Sequence, residues 1–146
     1  MAPEFRLGDH LARTMIAGGA MMNLDHTIVP ASDKEDAARS FAYVFGLPYD
    51  GISGEFAPVR VNDSLTLDFY NQDDFGWHHY AFHVGEDEFD QILGRIRDEG
   101  MPYGDGPQRS DNMKVGAPFQ GGRSVYFRSE DDHIFEFMTE PQTGAA

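Results

Sequence analysis

The chain has 146 residues, with 25 acidic side chains against 11 basic ones, no cysteine, and 40% hydrophobic residues. A net charge of −14 argues against a nucleic-acid partner, which needs clustered Lys and Arg, and the missing cysteines remove disulfides, thiol nucleophiles, zinc–thiolate sites and iron–sulfur clusters together. No apolar run approaches the ~18–20 residues of a membrane span and no signal peptide is present, so a cytoplasmic protein without a membrane partner is the expectation.

In chain order, residues 1–21 show no sustained period and contain a Gly-Gly pair, which reads as a leader or flexible arm. Its charges cancel, Glu4 and Asp9 against Arg6 and Arg13, so the negative charge belongs to the remainder of the chain. The expected domain is 22–140, with a first module at about 22–71, a second at about 77–140, and a polar tail at 141–146. Leu24 to Val29 reads as a strand. Ser32-Asp33-Lys34-Glu35 has the spacing of a capping box, and Ala38, Phe41, Ala42 and Phe45 then recur at helical spacing until Gly46 and Pro48 end the helix. Ala57 to Val61 and Leu65 to Tyr70 are strands joined across Asn62-Asp63.

His79 to Val84 opens the second module as a strand. Glu86, Asp87 and Glu88 then sit at the positive end of a helix whose buried stripe is Phe89, Ile92, Leu93 and Ile96, with Arg95 and Arg97 toward its negative end. Gly104 to Gly122 is a Gly/Pro/Asp-rich loop, long enough to be functional or disordered. Ser124 to Arg128 and His133 to Thr139 are strands joined across Ser129 to Asp132.

Gly46-Leu47-Pro48-Tyr49 recurs as Gly100-Met101-Pro102-Tyr103, each copy after a helix that itself follows a histidine-containing strand. The chain is thus α+β, two repeated β-α-β-β-β modules, neither of which alone buries both faces of its sheet. The ordered set Leu24-Asp25-His26, His79-Tyr80-Ala81-Phe82, and Val125-Tyr126-Phe127 with His133-Ile134-Phe135-Glu136 resembles the vicinal oxygen chelate superfamily, over essentially all of 22–140. That superfamily includes glyoxalase I, type I extradiol dioxygenases, methylmalonyl-CoA epimerase, fosfomycin-resistance enzymes and bleomycin-binding proteins. The resemblance implies two modules forming a curved mixed sheet around a metal-binding cleft. It implies a homodimer too, and places the metal ligands on His26, His79 and Glu136.

Two imidazoles and a carboxylate on one divalent ion, Fe(II), Mn(II), Ni(II), Co(II) or Zn(II), leave positions open for substrate, water or dioxygen. Each residue also has a plainer reading, as a solvated or hydrogen-bonded strand residue. Asp68 is the repeat-mate of Glu136 and stands either as a fourth ligand, as glyoxalase I and the epimerase draw from that strand, or as a solvent-facing carboxylate. Tyr126 lies across the hairpin from Glu136, either as a hydrogen-bond donor to a bound enediolate or catecholate or as an aromatic wall. His78, His83 and His133 read as structural or solvent residues. Arg123 and Lys114 are either partners for an anionic substrate or surface charges, and Phe56, Phe75, Trp77 and Phe119 supply an aromatic-rich cleft.

The resemblance to the extradiol pattern is partial: Glu130 replaces its usual proline, Asp132 its usual glycine, and Ala117-Pro118-Phe119 stands where a further histidine is usual. Three functions stay open. One is a metalloenzyme acting on a small molecule with vicinal oxygens, by enolate chemistry of the lyase or epimerase kind or by dioxygenase chemistry. The second is a fosfomycin-resistance-like transferase with the same ligands. The third is a metal-free protein that sequesters an antibiotic. Whether His26 meets His79 and Glu136 within one chain or across two is left open by the spacing.

Overall fold

Residues 21–142 are described in a computed structural model. Apart from Met21, Pro141 and Gln142, the leader and tail expected from the sequence lie outside the described residues. The first half runs β1 (His26–Ala31), α1 (Lys34–Phe45), β2 (Ala57–Arg60) and β3 (Thr66–Asn71). The second runs β4 (His79–His83), α2 (Glu86–Asp98), β5 (Ser124–Arg128) and β6 (Ile134–Met138).

The repeat is visible in the hydrogen bonding. Each half forms a three-stranded mixed sheet, ordered β1-β3-β2 and β4-β6-β5, whose first strand is parallel to its last. The registers match copy for copy: His26 lies opposite Thr66 and Ile28 opposite Asp68, as His79 lies opposite Ile134 and Ala81 opposite Glu136. Asp68 is therefore the structural counterpart of Glu136. The third strand expected after each helix is reduced to isolated bridges, Ser53 with Phe56 in the first half, and Gly104 with Tyr126 and Gly116 with Ser124 in the second. Glycines and prolines in these stretches cannot sustain a longer ladder. At Gly104 a side chain is excluded outright, because a Cβ there would sit 1.7 Å from the Arg109 carbonyl oxygen.

The cap of α1 differs from the expected one. Asp33, not Ser32, is the N-cap, its carboxylate accepting from the amides of Glu35 and Asp36. Ser32 is drawn away by a tertiary contact: its amide and hydroxyl both donate to Asp131 of the β5–β6 turn, at 3.0 and 2.7 Å. Gly46 ends the helix in the left-handed conformation, at φ 70°. In α2 the buried stripe is the expected one, Phe89, Ile92, Leu93 and Ile96. Arg95 near its end donates to the Val44 carbonyl, so one helix caps the other.

The halves share their core. Phe41 on α1 lies 5.7 Å from Phe69 of its own sheet, but also 5.6 Å from Phe82 and 5.2 Å from Phe135 of the other. Phe45 extends the cluster to Phe127 and Phe137. Among the described residues each sheet keeps its first strand at an edge, β1 in one and β4 in the other, and these are the strands that carry His26 and His79.

Candidate metal centre

His79 begins β4 and Glu136 lies mid-strand on its neighbour β6, with their side chains on one face. The imidazole Nε2 and the carboxylate Oε1 are 2.9 Å apart, with the carboxylate nearly buried and the histidine about a third exposed. That separation makes a good hydrogen bond. It also equals what two ligands at ~2.1 Å from one ion make when they meet near a right angle. The donor set is nitrogen plus oxygen, with no sulfur, which suits the divalent ions expected from the sequence.

Tyr126 on β5 is directly opposite Glu136, and its ring centroid is 5.9 Å from that of His79. Burial, and secondarily the Glu136 carboxylate, push its phenol up to about 12. The phenol thus stays protonated through the neutral range, as a donor beside the pair. Tyr80, on the other face of β4 and stacked on Phe135, is also pushed up to about 12, by burial alone.

These two phenols give an alkaline prediction. Their folded values lie above the ordinary value of 10.0, so the folded chain holds protons that the unfolded chain releases. The stability this contributes is present below pH ~10 and is lost as pH rises toward ~12. Melting temperatures measured from pH 8 to 11.5 should fall steeply above pH 10, and Tyr80→Phe should flatten that fall.

His26 stands apart from the pair. Among the described residues no three His, Asp or Glu side chains converge as a metal site. His26 is exposed at the start of β1, and its Nδ1 meets Asp25 at 2.8 Å. The Asp25 hydrogen bond first, and the Asp25 and Asp68 charges further, hold its pKa above the ordinary value. A carboxylate on Nδ1 leaves Nε2 turned outward, the usual arrangement of a ligating histidine and its orienting partner. Asp25 carries no role in the sequence reading, although its place directly before His26 is the available signal. The candidate residues therefore fall in two places, His26 beside Asp25 on the first sheet, which also carries Asp68, and His79 with Glu136 and Tyr126 on the second.

Other candidates have separate roles. Arg123 is held by Glu86 and Asp90 and lies over the Phe89 ring, 4.2 Å from its centroid, so its charge is already committed. His83 bonds the Thr139 carbonyl. The four aromatic residues do not gather into one cleft: Phe56 packs on Tyr70 and Phe75 on His133, while Trp77 and Phe119 are exposed. The Gly104–Gly122 loop is ordered by Asp105, which binds Arg109 and Asn112.

Two repeated halves with matching register and a histidine–carboxylate pair on the concordant strands define the glyoxalase/bleomycin resistance/dioxygenase fold. No known family profile matches the chain. The chain belongs to the vicinal oxygen chelate superfamily: it is 36% identical to the solved structure of Oxidase ChaP-H2, with a TM-score of 0.79 over 85% of this chain and 98% of that one. It is also 26% identical over 128 residues, 82% of this chain and 83% of the relative, to the metallothiol transferase FosB of Lysinibacillus sphaericus (strain C3-41). A glyoxalase/dioxygenase from Nostoc punctiforme shares the fold, with a TM-score of 0.63 at 16% identity, covering 97% of this chain and 99% of that one. Among the described residues, no helix is long and apolar enough to cross a membrane.

Proposed function

We propose that this protein is a divalent-metal-dependent enzyme that oxidises a small molecule bearing adjacent oxygens, with His79 and Glu136 as two ligands and His26 as the third. The observation that carries the reading is the His79–Glu136 pair, 2.9 Å apart with the Tyr126 phenol beside it. Likeness at 36% identity to a protein named an oxidase supports oxidation over the other chemistries of the superfamily. A two-histidine, one-carboxylate set with open positions is the donor pattern of non-haem Fe(II) oxygenases. The ion, when bound, supplies a Lewis acid and a place for dioxygen.

The chain's own residues do the rest. Glu136, nearly buried, brings negative charge that favours a cation over a neutral occupant. Tyr126 keeps its proton and donates a hydrogen bond to a substrate oxygen, orienting the molecule against the pair. Asp25 holds the His26 ring so that Nε2 faces outward.

Because His26 is not beside His79 and Glu136 in one chain, the reading includes a homodimer in which each centre takes His26 from one copy and the pair from the other. The free edges of β1 and β4 support this, since exposed sheet edges are ordinarily paired or covered. So do the exposed Leu24 and Ile28 on the His26 side. Asp68, the counterpart of Glu136, would then approach as a fourth ligand, the second through oxygen.

The test is anaerobic reconstitution with Fe(II) followed by dioxygen uptake with a panel of catechols, hydroquinones and α-hydroxyketones. Uptake that depends on both metal and substrate is the expected result. The 26% likeness to a metallothiol transferase supplies the second reading, so fosfomycin with a thiol, assayed with Mn(II), belongs in the same panel. Turnover there without any dioxygen uptake replaces the oxidase reading, and no metal bound by reconstituted protein overturns both.

A further inference from the structure

His133 is the buried histidine that the proposed centre does not use. It is 1% exposed, immediately before β6, and both ring nitrogens are engaged. Nε2 is 2.7 Å from the Pro30 carbonyl of β1, and Nδ1 is 2.9 Å from the backbone amide of His78. A carbonyl only accepts and an amide only donates, so the ring is neutral with its proton on Nε2. Phe75 stacks on one side at 5.5 Å, and Tyr80 meets the ring edge-on at 6.0 Å.

The position of the amide matters. His78 immediately precedes His79, and its carbonyl accepts from the Ile134 amide, the residue after His133. Its ring Nδ1 is 2.9 Å from the Tyr80 hydroxyl. Peptide planes on both sides of His78 are thus held by two adjacent residues, His133 and the first residue of β6, Ile134, and one of those holds runs through a side chain anchored in the other half of the molecule. Ring burial alone needs no such pattern, since phenylalanine would fill the space.

We propose that His133 is a positioning residue for the His79–Glu136 pair: its Nδ1 accepts from the His78 amide and so fixes where β4 presents His79. The role of the pair as ligands is the proposed function itself, on which this proposal rests. The Pro30 carbonyl takes the ring proton on Nε2 in a hydrogen bond and so leaves Nδ1 as the acceptor; the His78 bond holds the strand next to His79.

Three variants separate positioning from packing. His133→Asn places an acceptor where Nδ1 lies and keeps the His78 bond. His133→Gln places a donor where Nε2 lies and keeps only the Pro30 bond. His133→Phe fills the space and keeps neither. Co(II) titration followed by visible absorption should show affinity lowered ~10–100-fold in the Phe and Gln variants, the cost of losing an outer partner of a ligand, and restored in the Asn variant. Equal affinity in all three overturns the proposal.

A metal-free measurement runs alongside. In protein labelled with ¹⁵N-histidine, the His79 ring resonances should move in the Phe and Gln variants and stay in place in the Asn variant. Unchanged His79 resonances across the series overturn positioning whether or not metal binds. If wild-type protein binds no Co(II), the ligand reading fails, while the resonances still decide what His133 does. Should His133→Phe not fold, the Asn and Gln pair carries the comparison.

Discussion

Mixing His26→Ala chains with His79→Ala chains should restore metal binding that neither variant has alone. Each variant by itself lacks one ligand at every centre, and its affinity should fall by more than the ~10–100-fold that the loss of an outer partner costs. In a two-fold dimer with centres shared between copies, a mixed pair holds one centre lacking both ligands and one that is intact. Random exchange makes about half of the dimers mixed, so about a quarter of wild-type high-affinity sites should return. Metal counted per chain after unfolding, mixing and refolding the two variants checks this. If each centre lay within one chain, no mixture could recover any. The expectation rests on where the two histidines stand: His79 meets Glu136 at 2.9 Å, and His26 meets Asp25 at 2.8 Å without converging on that pair among the described residues.

Phe41→Ala should be among the most damaging single substitutions in the core, costing ~3–5 kcal/mol. The ring is 4% exposed and meets Phe45, Phe69, Phe82 and Phe135, rings from its own helix and from both sheets. Truncation therefore opens a cavity at the joint between the halves, where neither sheet can close it without shifting the other. Phe41→Leu should cost far less, and Phe119→Ala, at a fully exposed ring, should be near neutral. Urea unfolding of the three variants measures the series. A small loss for Phe41→Ala would mean that the halves are held together by the polar contacts of Ser32 and His133 instead.

Much of the architecture was legible because its signals are local. The stripe of α2 needs only the 3.6-residue period, and Phe89, Ile92, Leu93 and Ile96 are all buried. The strand pair Ser124–Arg128 and its partner needed only alternation and a turn, and the repeat of Gly46-Leu47-Pro48-Tyr49 marked the two halves. The equivalence of Asp68 with Glu136 came from aligning the repeats and is matched by the register of both sheets. The misplaced cap shows the limit. Ser32 and Asp33 are both good N-caps by type, and only the distant Asp131 decided between them.

The same limit divides the candidate site. The donor types were set by composition, because a chain without cysteine offers a cation only nitrogen and oxygen. That His79 meets Glu136, while His26 does not join them, depends on strand pairing across 57 residues and on how two similar sheets pack. Nothing in the local spacing encodes either. Arg123, read as either a substrate partner or a surface charge, is held by α2, and His133, read as a structural or solvent residue, links Pro30 to the His78 amide. Sequence by itself determined the repeated α+β halves, the acidic surface and the chemistry of the available ligands, since these follow from residue type and short-range period. Tertiary structure alone decided which candidate residues stand together, because contacts between remote strands are fixed by register and by the shared aromatic core.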